Sequence, residues 1–362
     1  MTGTDTTQTD QSNSTWATNT TLEAIADWLR DQRAVVLLTH VKPDGDALGS
    51  TLAIARALNL ASGTSGVTSQ AECWYAAPMP GWGQGLATGT KTRVIEPGQA
   101  VPGAMDPSAV LVCDTGSWNQ LEPFAEWLKA RAENTGLLDH HLQGDAEVAP
   151  RRVIETQAAA VCEPAAELCR LILGLGSIAE LPVEVAEPLY VGLATDTGWF
   201  KHSNVTPNVF ETAGQLLAAG VDHAKLFELI SQRDRAARLK LMARALGNLE
   251  LHPDKTLAMM SLTPADFKAT GAAPGDSGGF VDLPQSVPSI RVVALLTEQE
   301  DADGVFTKLS LRSKPTPWDD KPAVDVNVVC NTFGGGGHAR ASGAKIRGDI
   351  AKAKQMLLEA LP

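Results

Sequence analysis

Nothing in this 362-residue chain approaches the ~20 consecutive apolar residues that a membrane-spanning helix requires; the longest runs, such as 34–39 and 109–113, are far shorter. The N-terminus lacks a basic segment followed by an apolar one and is rich instead in Thr, Ser, Gln and Asn from Met1 to about Asn19. That stretch reads as a disordered tail, residues 1–19, on a soluble, cytoplasmic protein with no membrane partner. Cysteine is scarce: five residues, at 73, 113, 162, 169 and 330, contain no Cys-x-x-Cys pair and sit in apolar surroundings. Buried free thiols are therefore expected, and a zinc knuckle or a disulfide framework is not. Positive charge is also in deficit, with 30 Lys and Arg against 42 Asp and Glu and a formal charge of -12. Extended, sequence-independent contact with a nucleic-acid backbone needs many cations, so any nucleic-acid partner is expected to be short. The deficit reverses over residues 303–362, where nine Lys or Arg face six Asp or Glu. That segment can hold an anion.

What the chain does contain is alternation of apolar runs with helical periodicity. Its length exceeds what one core usually organises, so two domains are expected. Thr20 and Glu23 have capping-box spacing, and Leu22, Ile25, Ala26 and Leu29 recur at helical intervals. The run AVVLLTH then precedes a helical segment, DALGSTLAIARAL; AVLVCDTG and TGLLDHH are further runs, with helical stretches near 119–133 and 159–174. Strands alternating with helices imply a parallel sheet covered on both faces, an α/β first domain over residues 20–215. A long helical pattern from Pro207 to about Leu249 is highly charged in its middle and reads as a junction, with a helical linker over 216–245. From 246 to 362, strand-like runs (TLAMMSL, IRVVALLTE, FTKLSLRS) and two helical ones (AVDVNVVCNTF, IAKAKQMLLEAL) describe a smaller α+β domain.

The chemistry-bearing residues cluster where apolar runs end. THVKPDGDALGS places His40, Asp44 and Asp46 directly after a buried strand, and ligands of open α/β sheets gather at the carboxyl ends of strands. Taken alone, Asp44-Gly45-Asp46 is an ordinary turn. Recurrence changes that reading: Asp114 closes the next run, Asp139, His140 and His141 close a third, and Asp196 follows LYVGLA. Crowded carboxylates repel unless a cation neutralises them, and mixed imidazole and carboxylate donors suit manganese, cobalt or iron. Two His and four Asp suffice for two ions sharing a carboxylate, the arrangement that drives in-line hydrolysis at phosphorus. In the second domain, FGGGGHARASG lets a backbone approach an anion closely, and His338, Arg340, Arg312 and Lys314 stand beside it as a phosphate clamp. Of the eight Trp, Trp28 and Trp127 read as core; Trp118 and Trp199 follow site aspartates and offer stacking on a base as an alternative to packing.

Together these motifs resemble the DHH phosphoesterases, in particular the DHH/DHHA1 nano-RNases that also act as pAp phosphatases, from about Leu22 to the C-terminus. The resemblance implies an N-terminal DHH domain, a DHHA1 substrate-binding domain and two manganese ions, with magnesium or cobalt as alternatives. It implies that His40 and Asp44 hold one ion, Asp46 and His140 the other, and that Asp114 and Asp196 are shared. His141 would face the scissile phosphate, and Asp139 would orient the neighbouring imidazole. Arg312, Gly335, Gly336, Gly337, His338, Arg340 and Lys201 would hold the substrate between the domains. Lys201 stands where relatives often carry Arg, and QAAAVCEP (157–164) where they tend to carry Ser or Thr.

The implied partners are short single-stranded RNA, with DNA as an alternative, and pAp; a homodimer is one option for assembly. Rival readings are a cyclic or linear dinucleotide phosphodiesterase, a RecJ-like single-strand DNA exonuclease, an inorganic pyrophosphatase or polyphosphatase, and a non-catalytic nucleotide sensor.

Overall fold

The computed structural model describes residues 15–65, 70–99, 101, 106–232, 235–252, 256–315 and 322–361. The first fourteen residues of the expected tail lie outside that set. The chain divides into two compact units, residues 1–233 and 234–362.

The first unit opens with α1 (Leu22–Arg30), whose N-cap is Thr21 rather than Thr20: its side chain accepts from the Ala24 N–H. Then come β1 (Ala34–Leu38), α2 (Gly45–Ser65), β2 (Gln70–Ala76), α3 (Gly83–Leu86), β3 (Thr92–Ile95), β4 (Ala109–Cys113), α4 (Ala125–Lys129), β5 (Thr135–Asp139), β6 (Arg151–Ile154), α5 (Cys162–Leu173), α6 (Val183–Asp196), α7 (Pro207–Ala218) and α8 (His223–Ser231). The six strands form one sheet in the order β3-β2-β1-β4-β5-β6, and every pairing is parallel. Its strands read as continuous apolar runs because both faces are covered. Val35 and Leu37 pack with α1, α2, α5 and α6 on one side, while Val36 and Leu38 meet Phe124, Leu128 and Trp74 on the other. The connection from β1 leads to β2 on one side, and β4 lies on the other, so a crevice opens at the carboxyl ends of β1 and β4.

The second unit contains α9 (Ala236–Gly247), β7 (Glu250–His252), β8 (Leu257–Leu262), α10 (Pro264–Thr270), β9 (Val292–Asp301), β10 (Gly304–Ser313), α11 (Val326–Asn331), β11 (Gly336–His338), β12 (Ala341–Arg347) and α12 (Ile350–Ala360). Its mixed sheet runs β11-β12-β10-β9-β8-β7, parallel at β8–β9 and antiparallel elsewhere. Leu309, Leu311 and Ala294 face α11 and α12; Met260, Val293 and Leu295 face α9. An α/β unit followed by a smaller α+β unit is the expected class.

Several expectations shift. The stretch read as a linker over 216–245 belongs to both units, since α8 packs Leu226 into the first core and α9 packs Leu241 and Ala245 into the second. Residues 15–19, assigned to the tail, are held along the edge strand β6. The Thr18 hydroxyl donates to the Ile154 carbonyl and accepts from the Ile154 N–H, and the Asn19 N–H donates to the Arg152 carbonyl. A composition rich in Thr and Asn reads as solvated until an unpaired strand edge offers partners. LYVGLA (189–194) is the interior of helix α6 and not a strand: a short apolar run does not distinguish a buried strand from a helix buried all round. All five cysteines are buried and free. No described helix is long and apolar enough to cross a membrane.

Candidate metal centre and active site

The six residues singled out as ligands converge at the sheet crevice. Asp44 caps α2, its Oδ1 accepting the N–H groups of Asp46 (3.0 Å) and Ala47 (3.1 Å). Glycine follows it for a packing reason: a Cβ on Gly45 would lie 2.0 Å from Thr195 Oγ1 of α6. Gly192 of α6 has the same constraint, 2.3 Å from Cys162 Sγ and 2.9 Å from Asp46 Oδ1. These close approaches bring the buried Asp46 under α5, where its two oxygens accept from the Val161 (2.6 Å) and Cys162 (3.0 Å) N–H groups. The QAAAVCEP segment thus acts through its backbone. Gly45→Ala is expected to cost about 1–3 kcal/mol of stability by overpacking and to weaken metal binding, because Asp44 and Asp46 flank it; thermal melts and metal titration check both.

Asp114 follows β4 with a left-handed backbone (φ 63) and donates its N–H to the Leu138 carbonyl. A non-glycine residue there stores strain, a common feature of functional positions. Its carboxylate lies between two imidazoles: Oδ2 is 3.4 Å from His40 Nε2, and Oδ1 is 3.4 Å from His140 Nε2. Each imidazole gives its Nδ1 to a carbonyl, that of Val41 for His40 (2.9 Å) and that of Ala158 for His140 (3.2 Å). In the neutral rings this leaves the Nε2 lone pairs turned toward the carboxylates, where a cation would take them. Asp44 Oδ1 is 3.8 Å from His40 Nε2, while Asp46 Oδ2 (3.8 Å) and Asp196 Oδ2 (3.9 Å) flank His140 Nε2. Three sets could each hold a cation: His40, Asp44 and Asp114; Asp46, His140 and Asp196; Asp114, His140 and His141. Asp114 and His140 each stand in two of the sets, whereas Asp196 stands in one.

Asp139 is buried, and the imidazole it holds is that of His141: Nδ1 is 2.7 Å from Asp139 Oδ1, which also accepts the His140 and His141 N–H groups. Its Oδ2 has no hydrogen-bond partner among the described residues. His141 lines a cavity of about 420 Å³ with His40, Asp44, Asp114, His140 and Asp196. Among the described residues no Lys or Arg lines that cavity. The donor chemistry fits divalent cations: carboxylates crowd here without a counter-charge, and the imidazole nitrogens are presented lone pair first.

Metal-free, protons take that role. Burial works against the charged imidazole of His40, but hydrogen bonds to Asp114 and Asp44 outweigh it and push its pKa up to about 10. Burial likewise opposes His140, and its hydrogen bond to Asp114 with the charge of Asp46 raises it to about 10. Burial and the neighbouring Asp114 and Asp196 hold Asp46 well above the carboxylate range; burial chiefly, with Asp114 and Asp44, raises Asp196 to about 6. A raised folded pKa contributes stability that is full below the unfolded value and is lost as pH climbs through the folded one. For the two histidines that window runs from 6.5 to about 10. The metal-free protein is expected to lose stability across it, whereas metal affinity rises with pH. Loading at pH 7 should release about two protons per site, read by calorimetry in buffers of different ionisation enthalpy.

The remaining expected site residues are a lysine of the first unit and residues of the second. Lys201 is exposed just past Trp199 and Phe200, both left-handed (φ 57 and 63). Trp199 meets Phe227 edge-on at 4.8 Å, and Trp118 lies under Lys129 Nζ at 5.4 Å, so both rings pack against protein. In the second unit, Arg312 Nε donates to Asp282 Oδ1 at 3.0 Å. Gly336–His338 are the edge strand β11 and not a loop, paired with Ala341–Gly343 of β12. Cβ atoms on Gly335 and Gly337 would lie 2.2 Å from the Gly343 carbonyl oxygen and 2.6 Å from that of Ala341, so close strand packing already demands glycine there. Gly336 has room, and Arg340 at the turn accepts the Ser313 N–H at its carbonyl.

The sequence of residues 34–193 matches the family model for the DHH family, N-terminal domain. That span carries five of the six converging donors, from His40 to His140. Residues 34–193 are a DHH-family domain. It is 29% identical over 329 residues to the bifunctional oligoribonuclease and PAP phosphatase NrnA of Thermus thermophilus, across 90% of this chain and 89% of that protein. It is 25% identical to the probable bifunctional oligoribonuclease and PAP phosphatase NrnA of Streptococcus mutans, across 90% and 93%. Its fold matches the crystal structure of an exopolyphosphatase-related protein from Bacteroides fragilis with a TM-score of 0.78 and 23% identity, covering 94% of this chain and 95% of the other. The protein is a phosphoester-hydrolysing enzyme, and DHH phosphoesterases depend on metal.

One residue escaped the sequence reading. Trp16 packs on the first unit beside the site, its Nε1–H donating to the His141 carbonyl at 3.0 Å. The available signal was a lone large ring in a stretch otherwise made of small and polar residues.

Proposed function

We propose that this DHH enzyme degrades short oligoribonucleotides to mononucleotides and removes the 3'-phosphate of pAp, using two manganese ions, in the cytoplasm. The observation that carries this reading is Asp114, set between His40 and His140 and close to a third imidazole, His141, that a buried carboxylate holds in place. The activities in the names of the T. thermophilus and S. mutans relatives support the same substrates. In this reading His40, Asp44 and Asp114 hold one ion and Asp46, His140, Asp196 and Asp114 the other. Such ions supply a polarised water and neutralise charge on the phosphoryl oxygens. His141 lines the cavity and donates from its imidazole to a phosphoryl or leaving-group oxygen, with Asp139 keeping Nδ1 protonated. The clamp on the nucleotide end falls to Arg312, Gly335, Gly336, Gly337, His338 and Arg340, with Lys201 adding charge.

The test is a panel of pAp, RNA and DNA of about two to twenty nucleotides, and cyclic di-AMP, each with manganese, magnesium or chelator. Turnover of pAp and of RNA of about two to five nucleotides with manganese, abolished by chelator, is the expected result. Cyclic di-AMP as the best substrate, a long strand cut as fast as a dinucleotide, or saturable binding without turnover would each replace this reading with a named rival.

A further inference from the structure

The N-terminal segment is built into the active-site wall. The Trp16 ring lies where two glycines leave space: a Cβ on Gly116 would fall 1.9 Å from it, and one on Gly144 2.5 Å. Gly116 is two residues past Asp114, and Gly144 three past His141. The two loops are also tied directly, the Asp145 N–H to the Gly116 carbonyl at 2.7 Å and the Trp118 N–H to Asp145 Oδ2 at 2.9 Å. The ring thus closes a slot between the loop that carries the bridging carboxylate and the loop that carries His141. Its indole N–H ends on the His141 carbonyl. Behind it, Thr18 and Asn19 fasten the segment to β6 by hydrogen bonds that imitate strand pairing; the Asn19 side chain accepts the Arg152 N–H at 2.8 Å and donates to the Pro150 carbonyl at 2.8 Å.

We propose that Trp16 is a positioning residue for His141: the strap along β6 drives the indole between Gly116 and Gly144 and sets the His141 backbone at the distance the reaction needs. The side chain of His141 is about half exposed, its Nδ1 hydrogen-bonded to Asp139 at 2.7 Å and 3.9 Å from Asp114 Oδ1, so its backbone position decides where the imidazole sits. A shift on the order of 1 Å at a catalytic group costs up to about 100-fold in rate. Sequence composition gives no hint of this, because residues 15–19 gain their partners only when β6 becomes the sheet edge.

This inference rests on the role proposed for His141, and the experiment separates the two. Full-length, manganese-loaded parent, Trp16→Ala, Trp16→Phe, His141→Ala and the Trp16→Ala/His141→Ala double variant are compared on a two-nucleotide RNA and on a p-nitrophenyl phosphodiester, with bound metal counted. Trp16→Ala is expected to lower kcat by about 10- to 100-fold, with KM within about threefold and metal content unchanged. Trp16→Phe, which keeps a ring in the slot but loses the N–H donor, should lose about three- to tenfold and serves if the alanine variant does not fold. In the His141→Ala background, Trp16→Ala should add nothing, since its effect runs through that imidazole. A Trp16→Phe or Trp16→Ala variant at the parental rate beside an impaired His141→Ala overturns the positioning role alone. Additive losses in the double variant overturn it too, assigning Trp16 to general stability. His141→Ala at the parental rate removes the role of His141 itself, and the inference with it.

Discussion

Asp114→Asn is expected to lower turnover by about 10³- to 10⁵-fold while the protein stays folded, because in the proposed site this carboxylate would be shared by two cations and would contribute several kcal/mol to charge stabilisation in the reaction. Each oxygen of Asp114 addresses a different histidine at 3.4 Å, so an amide in its place presents an N–H to one of the two imidazole nitrogens and loses the charge that binds cations to both. Asparagine is the better substitution than alanine, since the backbone here is left-handed (φ 63) and asparagine adopts that region with little penalty. In the metal-free protein Asp114 repels Asp46 and Asp196 but also holds the charged imidazoles of His40 and His140, so neutralising it relieves repulsion while removing the stabilisation of both histidines, and the melting temperature should fall where those imidazoles are charged. Manganese content, thermal melts and initial rates read the three quantities separately. A variant that keeps two bound ions and a rate within about tenfold of the parent would refute the bridging role.

That the site was legible in the sequence follows from the parallel sheet. When both faces are buried, strands become apolar runs, and all their carboxyl ends lie on one edge of the sheet; His40, Asp114 and the Asp139–His141 triplet each close a run and so had to meet. Asp196 reaches the same place by another route, at the end of the buried helix α6, whose apolar run is indistinguishable from a strand by periodicity. What stayed hidden depends on contacts that only the assembled fold creates. Strand β2 escaped notice because Glu72 interrupts it, yet that carboxylate is buried with Trp74 Nε1, Lys91 and Arg93 as partners. Strand β11 lies in a glycine run that has no side-chain pattern to read, and its glycines answer to the packing of β12. The choice of imidazole by Asp139 was invisible for a similar reason: its sequence neighbour is His140, but the backbone turn after β5 presents His141 Nδ1 at 2.7 Å and sends His140 Nδ1 to the Ala158 carbonyl.

That division of labour makes His141→Ala the second large effect. His140 stands among the carboxylates, with Nε2 within 3.9 Å of Asp46, Asp114 and Asp196, so its loss should empty the site. His141 is more exposed and in the proposed reading holds neither ion, so its loss should leave metal binding near the parental level. Turnover should nonetheless fall about 10²- to 10³-fold, the usual effect of removing one proton donor or oxyanion partner. Asp139→Asn supplies the complementary case. The hydrogen bond from His141 Nδ1–H to Asp139 is the largest influence raising the His141 pKa, and removing the charge lowers it, so activity that depends on the protonated imidazole should fade at a lower pH than in the parent. A pH profile of kcat for the two variants and the parent, taken at saturating manganese, distinguishes this from metal loss: ligand loss is rescued by more metal, whereas a displaced alkaline limb is not. An Asp139→Asn profile superimposable on that of the parent would mean that the carboxylate orients the ring without tuning its proton.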